Sequence, residues 1–228
     1  MQFLYTTPTP DLELSKSFYS SLGFEIDQRE KICYAISSQL VIEINPARTA
    51  RAGIKIYGID QDEFFKSLNS YANITKTDTG FLLSDPSNVW MYFENAAIDD
   101  IPDLGANKEL CGNFAGMSLE STDIQRSINI WSCLGLKKTM GDINQGWVAY
   151  GSDSGLNVSF MVPNVCPHLF FNPSFTYFNS GKNPEIIAKL REAKVPIKEE
   201  ITLFNPNGEV DNVILQDPGG FGFFVFND

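Results

Sequence analysis

The chain has 228 residues, enough for one large domain or two of about 110 residues each. Lys and Arg total 17 against 28 Asp and Glu, a formal charge of −11, which repels phosphate backbones and anionic headgroups and argues against nucleic-acid and membrane-surface roles. One histidine, His168, and four cysteines without a CxxC pair exclude more chemistry than any motif adds. The thiols read as buried and reduced. The first residues lack a basic and then apolar leader, and no apolar run approaches the ~20 residues of a membrane span, so a cytoplasmic protein is expected.

In chain order, the first landmark is Asp11-Leu12-Glu13-Leu14-Ser15-Lys16-Ser17-Phe18-Tyr19-Ser20-Ser21-Leu22-Gly23-Phe24. Asp11 reads as a helix cap, Leu14, Phe18 and Leu22 as one apolar face, and Gly23 as the residue that turns the chain back. Strands follow at 24–27 and 41–44. A second helix is expected from Asp62 to Tyr71, burying Phe64, Phe65, Leu68 and Tyr71. Asp85-Pro86-Ser87-Asn88 is turn chemistry ahead of a strand from Val89 to Glu94.

The same order then recurs. Asp123 to Leu136 copies Asp11 to Phe24 at a constant offset of 112, with Ile124, Ile128 and Trp131 as the apolar stripe. Asn183-Pro184-Glu185 reads as a cap and first-turn proline before Ile186, Ile187 and Leu190. Asp217-Pro218-Gly219-Gly220 repeats the earlier turn at an offset of 132, so the second half carries about twenty extra residues, placed here at 163–173. The result is strand–helix–strand–strand–strand four times, at about 1–47, 52–96, 113–163 and 169–227. The acidic, aperiodic stretch from Ile98 to Asn107 separates the halves, giving domains at 1–97 and 113–228 with a linker at 98–112.

The doubled Asp-Leu…Ser-Phe-Tyr…Leu-Gly-Phe helix and the two Asp-Pro turns resemble the vicinal-oxygen-chelate superfamily of glyoxalase I, extradiol dioxygenases and bleomycin-resistance proteins. That resemblance implies an α+β fold of two tandem domains, each a pair of βαβββ modules forming a curved, barrel-like sheet with a ligand in its cup. Metal-dependent members would place ligands at positions that here hold Leu4, Gly116, Tyr92 and Phe224; only Glu43 keeps an acid. An iron site of two histidines and a carboxylate cannot be built from one histidine. The expected cofactor is therefore none, with a divalent metal disfavoured.

Glu43 becomes the candidate catalytic or binding carboxylate. It points into an aromatic-lined cup, sits on a solvated face, or is satisfied by a nearby Lys or Arg. The resemblance, through the strand parity of the family's inward-facing site, adds Leu4, Thr6, Trp90, Tyr92 and Glu94 as ligand-binding candidates in the first half. In the second half it adds Ser118, Glu120, Ser159 and Phe224, where small neighbours would leave room. His168 reads as a surface or hydrogen-bonded residue. Two functions follow. The first is a metal-free protein of the bleomycin-resistance type, monomer or homodimer, binding a small aromatic or cationic molecule. The alternative is a glyoxalase-type isomerase or lyase, or a dioxygenase, using Glu43 as base or metal ligand.

Overall fold

The computed structural model describes residues 1–30, 32–95 and 101–228. The first half comprises β1 (Gln2–Pro8), α1 (Leu12–Ser21), β2 (Glu25–Gln28), β3 (Cys33–Ile36) and β4 (Val41–Asn45), then β5 (Gly53–Tyr57), α2 (Gln61–Leu68), β6 (Thr75–Thr77), β7 (Gly80–Ser84) and β8 (Trp90–Glu94). The second half repeats it: β9 (Phe114–Glu120), α3 (Ile124–Ser132), β10 (Lys137–Asp142), β11 (Trp147–Gly151), β12 (Asn157–Met161), β13 (Ser174–Phe178), α4 (Asn183–Glu192), β14 (Ile197–Ile201), β15 (Asn212–Gln216) and β16 (Gly222–Phe226). These are four βαβββ modules in an α+β arrangement. The expected domain boundary at 97/98 lies outside the described residues.

Each half forms one eight-stranded sheet, ordered β2-β3-β4-β1-β5-β8-β7-β6 and β10-β11-β12-β9-β13-β16-β15-β14. At the centre of each, the first strands of two modules meet antiparallel, as in Leu4 opposite Lys55, while β1–β4 and β5–β8 run parallel. Neither sheet closes on itself.

Capping explains where the helices begin. Asp11 accepts from the Leu14 N–H at 3.0 Å and Asp123 from the Arg126 N–H at 3.0 Å, satisfying donors that the first helical turn leaves free. Gly23 at φ +89° and Gly135 at φ +82° turn the chain back, a conformation that costs other residues a Cβ clash. The expected face of α1 needs correction: Leu14 is 57% exposed, and the buried stripe is Ser15, Phe18 and Tyr19. Ser15 can lie inward because its hydroxyl pairs with Thr9 at 2.7 Å. The second half repeats the device with Ser121 and Ser127 at 2.7 Å.

Asn183 does not cap α4; Lys182 holds the cap position without a side-chain bond. The Asn183 amide is instead buried, donating to the Asp211 and Val225 carbonyls at 2.6 and 2.8 Å. α2 starts one residue earlier than expected and ends at Leu68, capped by Asp60. The extra length of the second half is divided between the connection 162–173 and the longer loop 202–211.

The helices cover one face of each sheet, and that face belongs to a single hydrophobic core shared by both halves. Tyr5 meets Phe175 edge-on at 4.8 Å and Phe18 meets Phe223 at 5.6 Å across the junction, geometries that add to plain area burial. Two buried carboxylates reinforce it. Asp85 accepts the Trp131 indole N–H at 3.0 Å, and Asp217 accepts the Tyr19 and Thr7 hydroxyls, each at 2.8 Å. Each Asp-Pro turn is thus gripped by the first helix of the other half. The opposite, helix-free face of each sheet is the inner face.

Candidate functional site

Alternation along the strands sends Ile42 and Ile44 of β4, and Ile54 and Ile56 of β5, to the helix side. The residues between them turn inward, and among these are Glu43 and Lys55. Glu43 is only 1% exposed, so an isolated carboxylate there would be costly. It is not isolated. Its Oε2 accepts from Lys55 Nζ at 2.7 Å, and its Oε1 from Asn45 Nδ2 at 2.9 Å and Thr6 Oγ1 at 3.2 Å. Register supplies the pairing, since Thr6 lies opposite Glu43 across β1–β4 and Leu4 opposite Lys55 across β1–β5. The cation expected as a ligand of Glu43 is therefore a residue of the chain itself.

Beside this pair lies a cavity of about 220 Å³ whose walls include Thr6, Asn45, Arg51, Lys55, Tyr92 and Glu94. The Lys55 side chain retains 16% exposure, so its ammonium separates the cavity from the carboxylate beneath. Burial pushes the Tyr92 phenol up. A backbone N–H and the charge of Arg51 pull it down, and the Glu43 and Glu94 carboxylates push it up again. One hydroxyl is therefore within electrostatic reach of three charged side chains.

Of the sequence candidates, Thr6, Tyr92 and Glu94 line this cavity, and Glu43 lies behind Lys55 without reaching its wall. Leu4 does not join them. It packs with Tyr34, Ile36, Val41 and Tyr57 at the far end of the inner face, under Ile101, beside a larger hollow of about 590 Å³ near Phe3, Leu104 and Phe114. Trp90 is half-buried and lines neither space. Lys55, Arg51 and Asn45 were not singled out from sequence, although a lysine between two isoleucines in Gly53-Ile54-Lys55-Ile56-Tyr57 was a legible signal of an inward charge.

The second inner face is built differently. Ser118 shares hydrogen bonds with Ser159 at 2.8 Å and Thr176 at 2.7 Å. Glu120 is tied to the connecting segment, accepting the Asn164 N–H at 3.1 Å. Phe224 is buried among Ile201, Ile214, Phe170 and Phe171. The room expected from the small residues is filled by the chain, for a Cβ on Gly222 would stand 2.9 Å from that of Phe171. His168, in the same segment, has a 6% exposed side chain with Nδ1 3.9 Å from Glu199. All four cysteines are free, and burial raises each thiol.

No protein-family model matches the chain, and no curated protein matches it. Solved structures do. Catechol 2,3-dioxygenase aligns with a TM-score of 0.57 at 12% identity, over 97% of this chain and 85% of that one. A variant of homoprotocatechuate 2,3-dioxygenase from B. fuscum aligns at 0.60 and 14%, over 98% and 70%. A Mn(II)-bound glyoxalase from Novosphingobium aromaticivorans aligns at 0.59 and 14%, over 97% and 79%. At such identities the likeness establishes the fold.

Two expectations are corrected by these neighbours. The reading as a metal-free binding protein for an aromatic or cationic ligand gives way to the enzymatic alternative, because the matching structures are dioxygenases and a glyoxalase. The expectation of no metal is likewise overturned at the level of the fold, which includes a Mn(II)-bound protein. In this chain the donor set is a poor fit to such an ion. Among the described residues no three of His, Cys, Asp or Glu converge, and both Glu43 oxygens are already engaged, one by an ammonium. A divalent site needs several converging protein donors. No helix among the described residues is long and apolar enough to cross a membrane.

Proposed function

Because the chain has the vicinal-oxygen-chelate fold, we propose that it is a glyoxalase-type isomerase or lyase, moving a proton on a small enolisable carbonyl compound in the first inner face. The observation that carries this reading is the Glu43–Lys55 pair, a carboxylate held at 2.7 Å from an ammonium beneath a cavity of about 220 Å³.

The chemistry uses both partners. A substrate carbonyl oxygen over Lys55 competes for its ammonium, and each donor that turns to the substrate leaves Glu43 less neutralised and more basic. As Lys55 swings onto that oxygen it uncovers Glu43, which takes a proton from the carbon next to the carbonyl. The C–H electron pair moves into the carbonyl, and the negative enolate oxygen rests on Lys55. With a hydroxyketone, return of the proton to the former carbonyl carbon gives an isomer; departure of a group from the neighbouring carbon gives elimination. Thr6 and Asn45 keep the carboxylate oriented through Oε1.

Incorporation of deuterium from heavy water into a panel of hydroxyketones, keto acids and aldehydes, followed by proton NMR with and without added Mn(II), tests the reading. Catalysed exchange on at least one compound without added Mn(II) is expected. A folded protein that exchanges none of them contradicts the reading, and exchange that requires Mn(II) reassigns Glu43 from base to ligand.

A further inference from the structure

The cavity beside Glu43 holds two charges that proton transfer does not use. Lys55 and Glu43 neutralise each other, but Arg51 and Glu94, which line the same space, enter no salt bridge among the described residues. Arg51 donates from Nη1 to the carbonyls of Arg48 and Ala50 at 3.5 and 2.8 Å. That anchors the guanidinium in the turn before β5 and leaves its other nitrogens without a hydrogen bond. The Glu94 carboxylate, at the end of β8, has neither a hydrogen bond nor an ion pair among the described residues. Tyr92 lines the same cavity, two residues from Glu94 along β8, and its phenol feels the charges of both Arg51 and Glu94.

The poles select by charge. A small anion would meet Arg51 and also Glu94, and a small cation would meet the reverse, so each gains at one end and loses at the other. A molecule with one carboxylate and one ammonium gains at both. Arg is suited to grip a carboxylate through two N–H donors, and a carboxylate to accept from an ammonium. The cavity volume restricts the ligand to metabolite size, below the usual range for drug-sized sites. Asn45, Thr77 and Thr79 supply further polar wall.

We propose that the first inner face recognises a small zwitterion of the amino-acid or amino-keto-acid class, carboxylate on Arg51 and ammonium on Glu94. Its placement of an enolisable carbon over Glu43 and Lys55 rests on the proton-transfer reading; the recognition itself does not.

Calorimetric titration with 5-aminolevulinate, levulinate and aminoacetone separates the charges, since the second lacks the ammonium and the third the carboxylate. The zwitterion is expected to bind about tenfold or more tighter than either. Arg51→Gln should remove its advantage over aminoacetone, and Glu94→Gln its advantage over levulinate, with unchanged thermal unfolding for both variants. Equal binding of all three compounds, no binding of 5-aminolevulinate at millimolar concentration, or selectivity that survives both substitutions overturns the proposal. Selective binding without deuterium exchange would instead remove the proton-transfer reading and leave the recognition standing. Exchange on levulinate that is indifferent to Arg51→Gln would do the opposite.

Discussion

The two inner faces are made by the same module, paired the same way, and have opposite contents. The first buries an ion pair and keeps a polar cavity beside it. The second joins three hydroxyls that satisfy one another and is then packed by Phe170, Phe171 and Phe224. The difference comes from connections rather than strands. Between β4 and β5 the chain makes a short turn and contributes Arg51 to the rim; between β12 and β13 a longer segment contributes phenylalanines. One inner face thus keeps an open polar cavity, while the other is filled by its own side chains.

Substitutions sharpen that contrast. Lys55→Met leaves Glu43 buried without its cation, and we expect a loss of about 3–5 kcal/mol in urea unfolding. Most of it should return in the double variant with Glu43→Gln, because the uncompensated charge is gone. A double variant as unstable as Lys55→Met would mean that the lysine acts by packing alone. In the second half, Phe224→Ala should cost about 3 kcal/mol, the low end for a buried phenylalanine, with deuterium exchange unaffected. Exchange lost together with Phe224 would tie the second face to the chemistry.

A smaller effect concerns the carboxylates that clasp the halves. Burial raises the Asp217 carboxyl above its ordinary 3.8, against the pull of the Thr7 and Tyr19 hydroxyls. The folded state therefore binds this proton more readily than the unfolded chain, and the group costs stability while ionised. That cost is relieved as pH falls through the raised value toward 3.8. The melting temperature of the native protein relative to Asp217→Asn should accordingly rise from pH 7 toward pH 4; a constant difference would show that the carboxyl titrates normally.

Much of this architecture could be read before any coordinates. Asp11, Asp123 and their paired glycines announced two helices and their ends, because caps and positive-φ turns are local demands. Strand parity put Glu43 on one face with Val41, and only the family resemblance favoured that face as the inner one. The partner of Glu43 was not legible, since parity says which way Lys55 points but not which strand lies beside it. Asp85 and Asp217 read as turn residues, and their burial against Trp131 and Tyr19 depends on how the halves dock. The filling of the second face was hidden for the same reason: 163–173 has no period, so nothing in it said that Phe170 and Phe171 turn inward.

The most direct measurement sets the two faces against each other in one assay. Deuterium incorporation into a responsive carbonyl compound should fall about a hundredfold or more in Glu43→Gln, within the usual contribution of a general base. It should stay unchanged in Thr176→Val, which removes a hydroxyl from the second face. Undiminished exchange in Glu43→Gln, or its loss in Thr176→Val, would contradict the assignment of the working site to the first face.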